Sequence, residues 1–140
     1  MAIPFPSEEW IEEWRSRLNE NERYAEVGAD WGVDFNGDFV FTIEADDAFD
    51  ETHHYFVGLE GGECTAAQRV DDPDEVDHAF RLTGTYTSWK ELSRGEIGAI
   101  AGILRGKFEL IGDRMQVLQY SDAAVEMVET ATELDTEYRA

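Results

Sequence analysis

Cysteine is nearly missing from this 140-residue chain, where Cys64 stands alone. One thiol cannot close an internal disulfide or build a cysteine-rich zinc site. It reads as a small hydrophobe in the fold. Lysine is almost as scarce: Lys90 and Lys107 stand beside nine arginines. No apolar run reaches the roughly 18 residues that a membrane-spanning helix needs. The start, Met1-Ala-Ile-Pro-Phe-Pro6, has neither a basic n-region nor a long apolar h-region, so no signal peptide is expected and the chain reads as cytoplasmic. P-loop, G-x-S-x-G, H-E-x-x-H and C-x-x-C patterns are all absent, which removes the commonest phosphate, hydrolase, zinc-protease and redox signatures.

Acid is what the chain has in excess. It carries 32 acidic against 11 basic residues, a formal net charge of −21. Self-repulsion of that size works against a compact state in dilute buffer. It becomes tolerable where the Debye length shrinks, to about 3 Å at 1 M salt. The acids are spread along the whole chain rather than gathered in one block, so adaptation to a high-salt cytoplasm explains them better than a single acidic interface. Nucleic acid is excluded as a partner, because phosphate binding needs a basic face. Electrostatic docking to an anionic membrane is expected to be weak or absent.

At 42% hydrophobic and 12% aromatic, the composition is that of a folded protein, and the length predicts one domain over 1–140. Ser7 followed by Glu8 and Glu9 predicts a helix start, with Trp10, Ile11, Trp14 and Leu18 on one face. Asn19 and Glu22 read as a capping box for a second helix ending near Gly28. Alternation over Trp31–Phe35 and the Asn36-Gly37 pair predict a hairpin into a strand over 39–43. Strands are expected at 53–59, 63–70, 80–83 and 108–111. Thr87 or Ser88 is placed as the cap of a helix stopping at Gly95, a glycine-containing helix over 97–104 follows, and a terminal helix begins near Met115. The predicted class is α+β: a five- to six-stranded, mainly antiparallel sheet covered on one face by helices, with helices at both ends.

Reactive groups are few. His53 and His54 are neighbours on a strand and face opposite ways, so no single metal is chelated by both. His53 with Cys64 is the one conceivable metal pair, and no metal site or cofactor is expected. Carboxylates are so many that none stands out as a catalytic pair. The functional weight falls on Ile97, Ile100, Ala101, Leu104 and Phe108, which recur at steps of three and four. Gly98 and Gly102 lie among them, and each costs about 1 kcal/mol against alanine inside a helix. That reads either as a mobile wall over a cavity or as glycines that permit close packing.

Several segments share their order with one family: Phe39-Val-Phe-Thr-Ile-Glu, Thr52-His-His-Tyr-Phe-Val, His78-Ala-Phe-Arg-Leu-Thr, Trp89-Lys-Glu-Leu-Ser-Arg-Gly-Glu and Gly106-Lys-Phe-Glu-Leu-Ile-Gly-Asp113. Over residues 38–120 the chain resembles sterol carrier protein type-two (SCP-2-like) domains. The resemblance implies a five-stranded sheet with helices on one side and an apolar tunnel between them for sterols, acyl chains or other lipids. It places Leu92, Ile97, Ile100, Ala101, Leu104 and Phe108 on the tunnel wall, and Met115, Leu118 and the later stripe, Val128 included, on its closing side. Phe41, Tyr55 and Trp89 complete the candidate lipid-binding set from the aromatics. The Trp31–Asp38 hairpin departs from the family as an addition, and the family's basic surface is missing.

The function expected is non-catalytic binding and intracellular transfer of an apolar lipid, sterol-like, isoprenoid or acyl, in a tunnel between sheet and helices, an isoprenoid lipid, quinone or carotenoid fitting a salt-adapted host better than a true sterol. Two other readings are an accessory protein that presents an isoprenoid substrate to a partner enzyme of lipid metabolism, and a small-molecule enzyme using His53, His54 or His78 as base.

Overall fold

A computed structural model describes residues 2–139; Met1 and Ala140, the end residues of the expected unit, lie outside the described residues. The chain opens with a short strand β1 (Ile3–Phe5) and helix α1 (Glu8–Glu20). Ser7 caps α1 by accepting from the Trp10 N–H at 3.0 Å, and Glu8 and Glu9 sit where the helix dipole favours negative charge. Asn21, not Asn19, caps the next helix α2 (Glu22–Val27), its side chain accepting from the Tyr24 N–H at 2.9 Å.

Residues 28–38 form turns, not the expected hairpin. Trp31 decides this. Its ring is buried among Phe35, Phe39, Phe80 and Tyr120, and its indole N–H donates to the Gly37 carbonyl at 2.9 Å. That local bond coils the segment around the side chain, so residues 31–35 form no strand to pair with Phe39–Ile43. Asn36 makes its turn by accepting from the Asp38 N–H at 2.8 Å.

The sheet comprises β2 (Phe39–Glu44), β3 (His53–Glu60), β4 (Glu63–Val70), β5 (Phe80–Thr85) and β6 (Phe108–Ile111), in the order β4-β3-β2-β5-β6. Only the central β2–β5 pairing is parallel. The long connection from β4 to β5 makes that possible. Alternation sends Phe39, Phe41, Ile43, Tyr55, Leu82 and Leu110 to one face, and all six are buried. Thr42, His54, Arg81 and Thr83 take the other face.

Helix α3 (Tyr86–Ser93) starts directly from β5, capped by Thr85 rather than Thr87 or Ser88. Helix α4 (Ala99–Leu104) is shorter than expected because Gly98 is its N-cap. Gly102 is therefore the only glycine inside it. A Cβ at Gly102 would lie 2.7 Å from the Phe108 ring, and one at Gly84 2.6 Å from the same ring on another edge. Phe108 is thus seated between strand and helix by two missing side chains, and close packing is the reason for Gly102. Helices α5 (Arg114–Leu118) and α6 (Ser121–Thr132) follow with a break at Tyr120. A last strand β7 (Thr136–Tyr138) pairs in parallel with β1, apart from the main sheet.

All four tryptophan N–H groups find acceptors. Trp10 donates to Thr136 Oγ1, Trp14 to the Met127 carbonyl, Trp31 to the Gly37 carbonyl and Trp89 to the Thr42 carbonyl. Large rings can therefore be buried without stranding a donor.

Candidate functional site: an apolar cavity between sheet and helices

The helices do not fill the space above the inner sheet face. A cavity of about 120 Å³ remains, room for roughly eight or more waters at about 15 Å³ of such space each. Its floor is Phe39, Phe41, Ile43, Tyr55, Leu82 and Leu110 of the sheet. Trp10, Ile11 and Trp14 of α1 form one wall, and Trp89 and Leu92 of α3 with Ile100 and Ile103 of α4 form another. Val117 of α5 and Met127 and Val128 of α6 close the remaining side. Among the described residues, no charged side chain lines it.

The polar side chains in the lining are already engaged by protein. Ser7 Oγ donates to the Pro4 carbonyl at 2.6 Å. Ser93 Oγ donates to the Lys90 carbonyl and lies 2.8 Å from the Tyr138 hydroxyl. The Tyr55 hydroxyl lies 2.8 Å from His53 Nδ1, whose Nε2 is 3.1 Å from Glu51. Burial pushes the Tyr55 phenol well up from its usual range, so it stays neutral. A buried space lined this way has no hydrogen-bonding use for water and is suited to hydrocarbon.

Of the candidate residues, Phe41, Tyr55, Trp89, Leu92, Ile100 and Val128 meet around this cavity. The other six do not line it. Ile97 and Phe108 are buried in the packing behind the wall, Phe108 edge-on to Trp89 at 5.1 Å. Ala101 and Leu118 are half-buried. Leu104 and Met115 are 67% and 66% exposed. The cause is the late start of α4: the inward side of a helix beginning at Ala99 is 99, 100 and 103, not 97, 101 and 104. Trp10, Ile11 and Trp14 of α1, an apolar stripe in the sequence, join the lining from outside the candidate set, as do Ile103 and Leu110. Ile103 stands three residues past Ile100, a spacing that puts both on one helix face.

The histidines are held singly. His53 is buried between Tyr55 and Glu51, and His54 Nδ1 lies 2.9 Å from Thr42 Oγ1 on the outer face. Cys64 pairs with Leu59 in the register, far along β3 from His53. Burial pushes the Cys64 thiol up to about 12, so it is not a thiolate at neutral pH. Among the described residues, no group of three or more His, Cys, Asp or Glu is placed to hold a metal ion.

No family model and no curated protein matches the sequence. Solved structures do. A crystal structure of sterol carrier protein 2 superposes with a TM-score of 0.78 at 25% identity, over 91% of this chain and 97% of that one. The chain has an SCP2-like fold. A conserved hypothetical protein of Thermus thermophilus, described as possibly a sterol carrier protein, gives a TM-score of 0.81 at 24% identity over 94% of this chain and 90% of that one. The sterol carrier protein 2 of Aedes aegypti, in complex with the C16 fatty acid palmitate, shares the fold at a TM-score of 0.53 and 14% identity, over 84% of this chain and 93% of that one. The expected α+β class, with helices on one sheet face, is the observed one. Among the described residues, no helix is long and apolar enough to cross a membrane.

Proposed function

We propose that this SCP2-like domain binds an apolar lipid in the cavity between sheet and helices and transfers it without chemical change. The observation that carries the reading is the cavity wall: aliphatic and aromatic throughout, with every polar lining side chain already bonded to protein. Phe41, Tyr55, Trp89, Leu92, Ile100 and Val128 are its contacts from the candidate set, joined by Trp14 and Ile103. Burying some 15 methylenes gains about 12 kcal/mol at ~0.8 kcal/mol each. Association and ordering cost about 4–15 kcal/mol, so useful affinity needs a long chain or a fused-ring body, and no charged anchor. The palmitate held by the mosquito protein supports an acyl chain as one form of cargo, and an isoprenoid fits the same wall.

Transfer rather than catalysis is supported by the engagement of the histidines. Both ring nitrogens of His53 are occupied, by Tyr55 and Glu51, and no histidine is among the described residues that line the cavity.

The test is purification at multimolar salt without detergent, followed by solvent extraction and lipid mass spectrometry, with uptake of a fluorescent fatty acid in parallel. A stoichiometric acyl or isoprenoid species supports the reading and names the cargo. Ile100→Asp places a carboxylate in the wall and is expected to reduce uptake at least tenfold, at about 1.4 kcal/mol per decade. Empty extracts together with no uptake by the wild type would return the cavity to a packing defect.

A further inference from the structure

A group able to change charge near neutral pH lies under the helices. In the β2–β3 register His53 pairs with Ile43, and Tyr55 with Phe41, so the imidazole shares the inner sheet face with these cavity-floor side chains. It is 3% exposed. The loop 45–52, which joins β2 to β3, covers it. Phe49 is the one buried residue of that loop. Its ring meets His53 edge-on at 5.5 Å and Tyr86 at 5.0 Å, and Tyr86 in turn meets Phe5 at 6.3 Å. Phe5, Ile43 and Tyr55 all line the cavity, so His53, Phe49 and Tyr86 stand directly behind one end of it.

Hydrogen-bond chemistry fixes where the ring carries its proton. The Glu51 carboxylate, 3.1 Å from Nε2, can only accept, so Nε2 holds the hydrogen. Nδ1 is left as an acceptor, and the Tyr55 hydroxyl, 2.8 Å away, donates to it. Glu51 is exposed. The chain therefore runs from solvent, through a buried ring, to the floor of the cavity. Among the described residues the Tyr55 hydroxyl has no second hydrogen-bond partner. A further proton on the ring removes its acceptor: Nδ1–H becomes a donor, and the phenolic O–H is left buried with nothing to bond.

The surroundings also work against a charged ring. Desolvation opposes the proton most; Glu51 attracts it, while Arg69 of β4 and Arg139 beyond β7 repel it, and the balance lies on the neutral side. Glu8 of α1 accepts from the Arg69 N–H at 3.0 Å, and Asp47 and Asp50 of the loop border Arg139. Asp46 ties the loop to α3, accepting from the Thr87 N–H at 2.8 Å and from the Ala48 and Phe49 N–H groups. Against a desolvation that raises it, these bonds hold the Asp46 carboxyl below its usual range, and the bond to His53 does the same for Glu51. Between about pH 7 and 5 both carboxyls stay ionised and the ring is the member of the assembly that titrates.

We propose that the Glu51–His53–Tyr55 chain is an acid-sensitive latch on this end of the cavity: when His53 takes up a proton, the 45–52 loop lifts, water reaches the imidazolium and the bound lipid is released. With the loop closed, His53 is neutral under Phe49. With the loop lifted, the ring is hydrated and regains the proton affinity of a free imidazole, a pKa of about 6.5. The open state therefore binds more protons than the closed one. Closure is favoured in full above about pH 6.5 and is lost as pH falls through the lower pKa of the closed state. Phe49 is the loop's single buried anchor, so opening exposes one large side chain and leaves the sheet intact. The release of cargo rests on the lipid-binding reading; the movement of the loop does not.

The experiment uses dodecylpyrene, an apolar probe with no titratable group. Protein loaded at about pH 7.5 in about 1 M salt is mixed with phosphatidylcholine vesicles, and transfer of the probe is timed at pH values down to about 5. In parallel an environment-sensitive dye is attached through Ala48→Cys, on the exposed part of the loop, while Cys64 is buried and stays unlabelled. Wild type is expected to release the probe about tenfold faster or more at the acid end, with the dye signal following the same curve. His53→Gln is expected to hold one rate across the range. Tyr55→Phe, which has no hydroxyl to strand, is expected to show a shallower dependence, and it decides the matter if His53→Gln does not fold. A wild-type rate that is flat with pH overturns the proposal, as does an acceleration shared equally by the variants. The dye needs no cargo, so the two failures are told apart: no loading at about pH 7.5 removes the lipid-binding reading, and a dye signal flat with pH removes the latch.

Discussion

Asn19 pairs with Cys64 as a neighbouring strand would: its side-chain oxygen accepts from the Cys64 N–H at 2.7 Å, and its amide donates to the Cys64 carbonyl at 3.0 Å. Arg15 adds bonds to the Cys64 and Thr65 carbonyls, and Glu8 accepts from the Arg69 N–H. Three side chains of α1 thereby occupy polar groups on the free edge of β4, a position that otherwise invites pairing with another chain. Asn19→Ala leaves a buried N–H without its partner and is expected to cost about 1–3 kcal/mol in urea unfolding. Asn19→Asp keeps the acceptor but sets a carboxylate against a carbonyl, so it should do no better.

Gly102→Ala sets two effects against each other. Helix propensity gains about 1 kcal/mol. The new Cβ meets a Phe108 ring 2.7 Å away that Gly84 already confines from another edge, and overpacking costs about 1–3 kcal/mol. A net loss is expected in thermal or urea unfolding. Phe108→Leu in the Gly102→Ala background should recover part of it; a stabilised Gly102→Ala would show that the ring moves freely.

How far the sequence shows this arrangement depends on how local its causes are. The α1 stripe and the alternations of β2 through β4 are legible because each element carries its own period and cap. The cavity floor follows from the same alternation. The coiling of 28–38 is not legible: Trp31 chooses Gly37 as acceptor only because Phe80 and Tyr120, distant in sequence, enclose its ring. The rotation of the α4 face is hidden for a similar reason, since Gly98 reads equally well as interior residue or cap until Phe108 claims the space at Gly102. Strands β1 and β7 have three residues each, too few for any period.

Burial holds the His53 pKa below its usual value, against the opposing pull of the Glu51 carboxylate, with Arg69 and Arg139 lowering it further. Desolvation, aided by Arg81, also lowers that of His54. The folded state thus binds fewer protons than the unfolded state near and below pH 6.5. Stability is expected to fall as pH drops from about 7 toward 5, by up to about 1.4 kcal/mol per unit for each group. His53→Gln should flatten that slope in denaturation measured at successive pH values. An unchanged slope would assign the effect to other groups.

The excess of acid makes its own forecast. With a net charge of −21, raising salt from about 0.1 M to 1 M shortens the Debye length from about 10 Å to 3 Å. The thermal midpoint should rise over that range and more steeply than for a charge-balanced protein of this size. A flat response would mean the carboxylates repel one another little in the folded state.

The pairing of β1 with β7 governs when the cavity comes into being. Phe5, Pro6 and Ser7 line it, and they are held by the far end of the chain: Trp10 bonds Thr136 across 126 positions, Arg139 bonds the Pro6 carbonyl across 133, and Tyr138 meets Ser93. During synthesis the sheet, α1 and α3 are all available before these contacts are. The end wall is sewn shut only after residues 136–139 have left the ribosome. Until that moment the growing chain has a greasy trough open at the end that the finished one walls off, so cargo first offered to a nascent chain meets a different receptor from cargo offered to the completed fold.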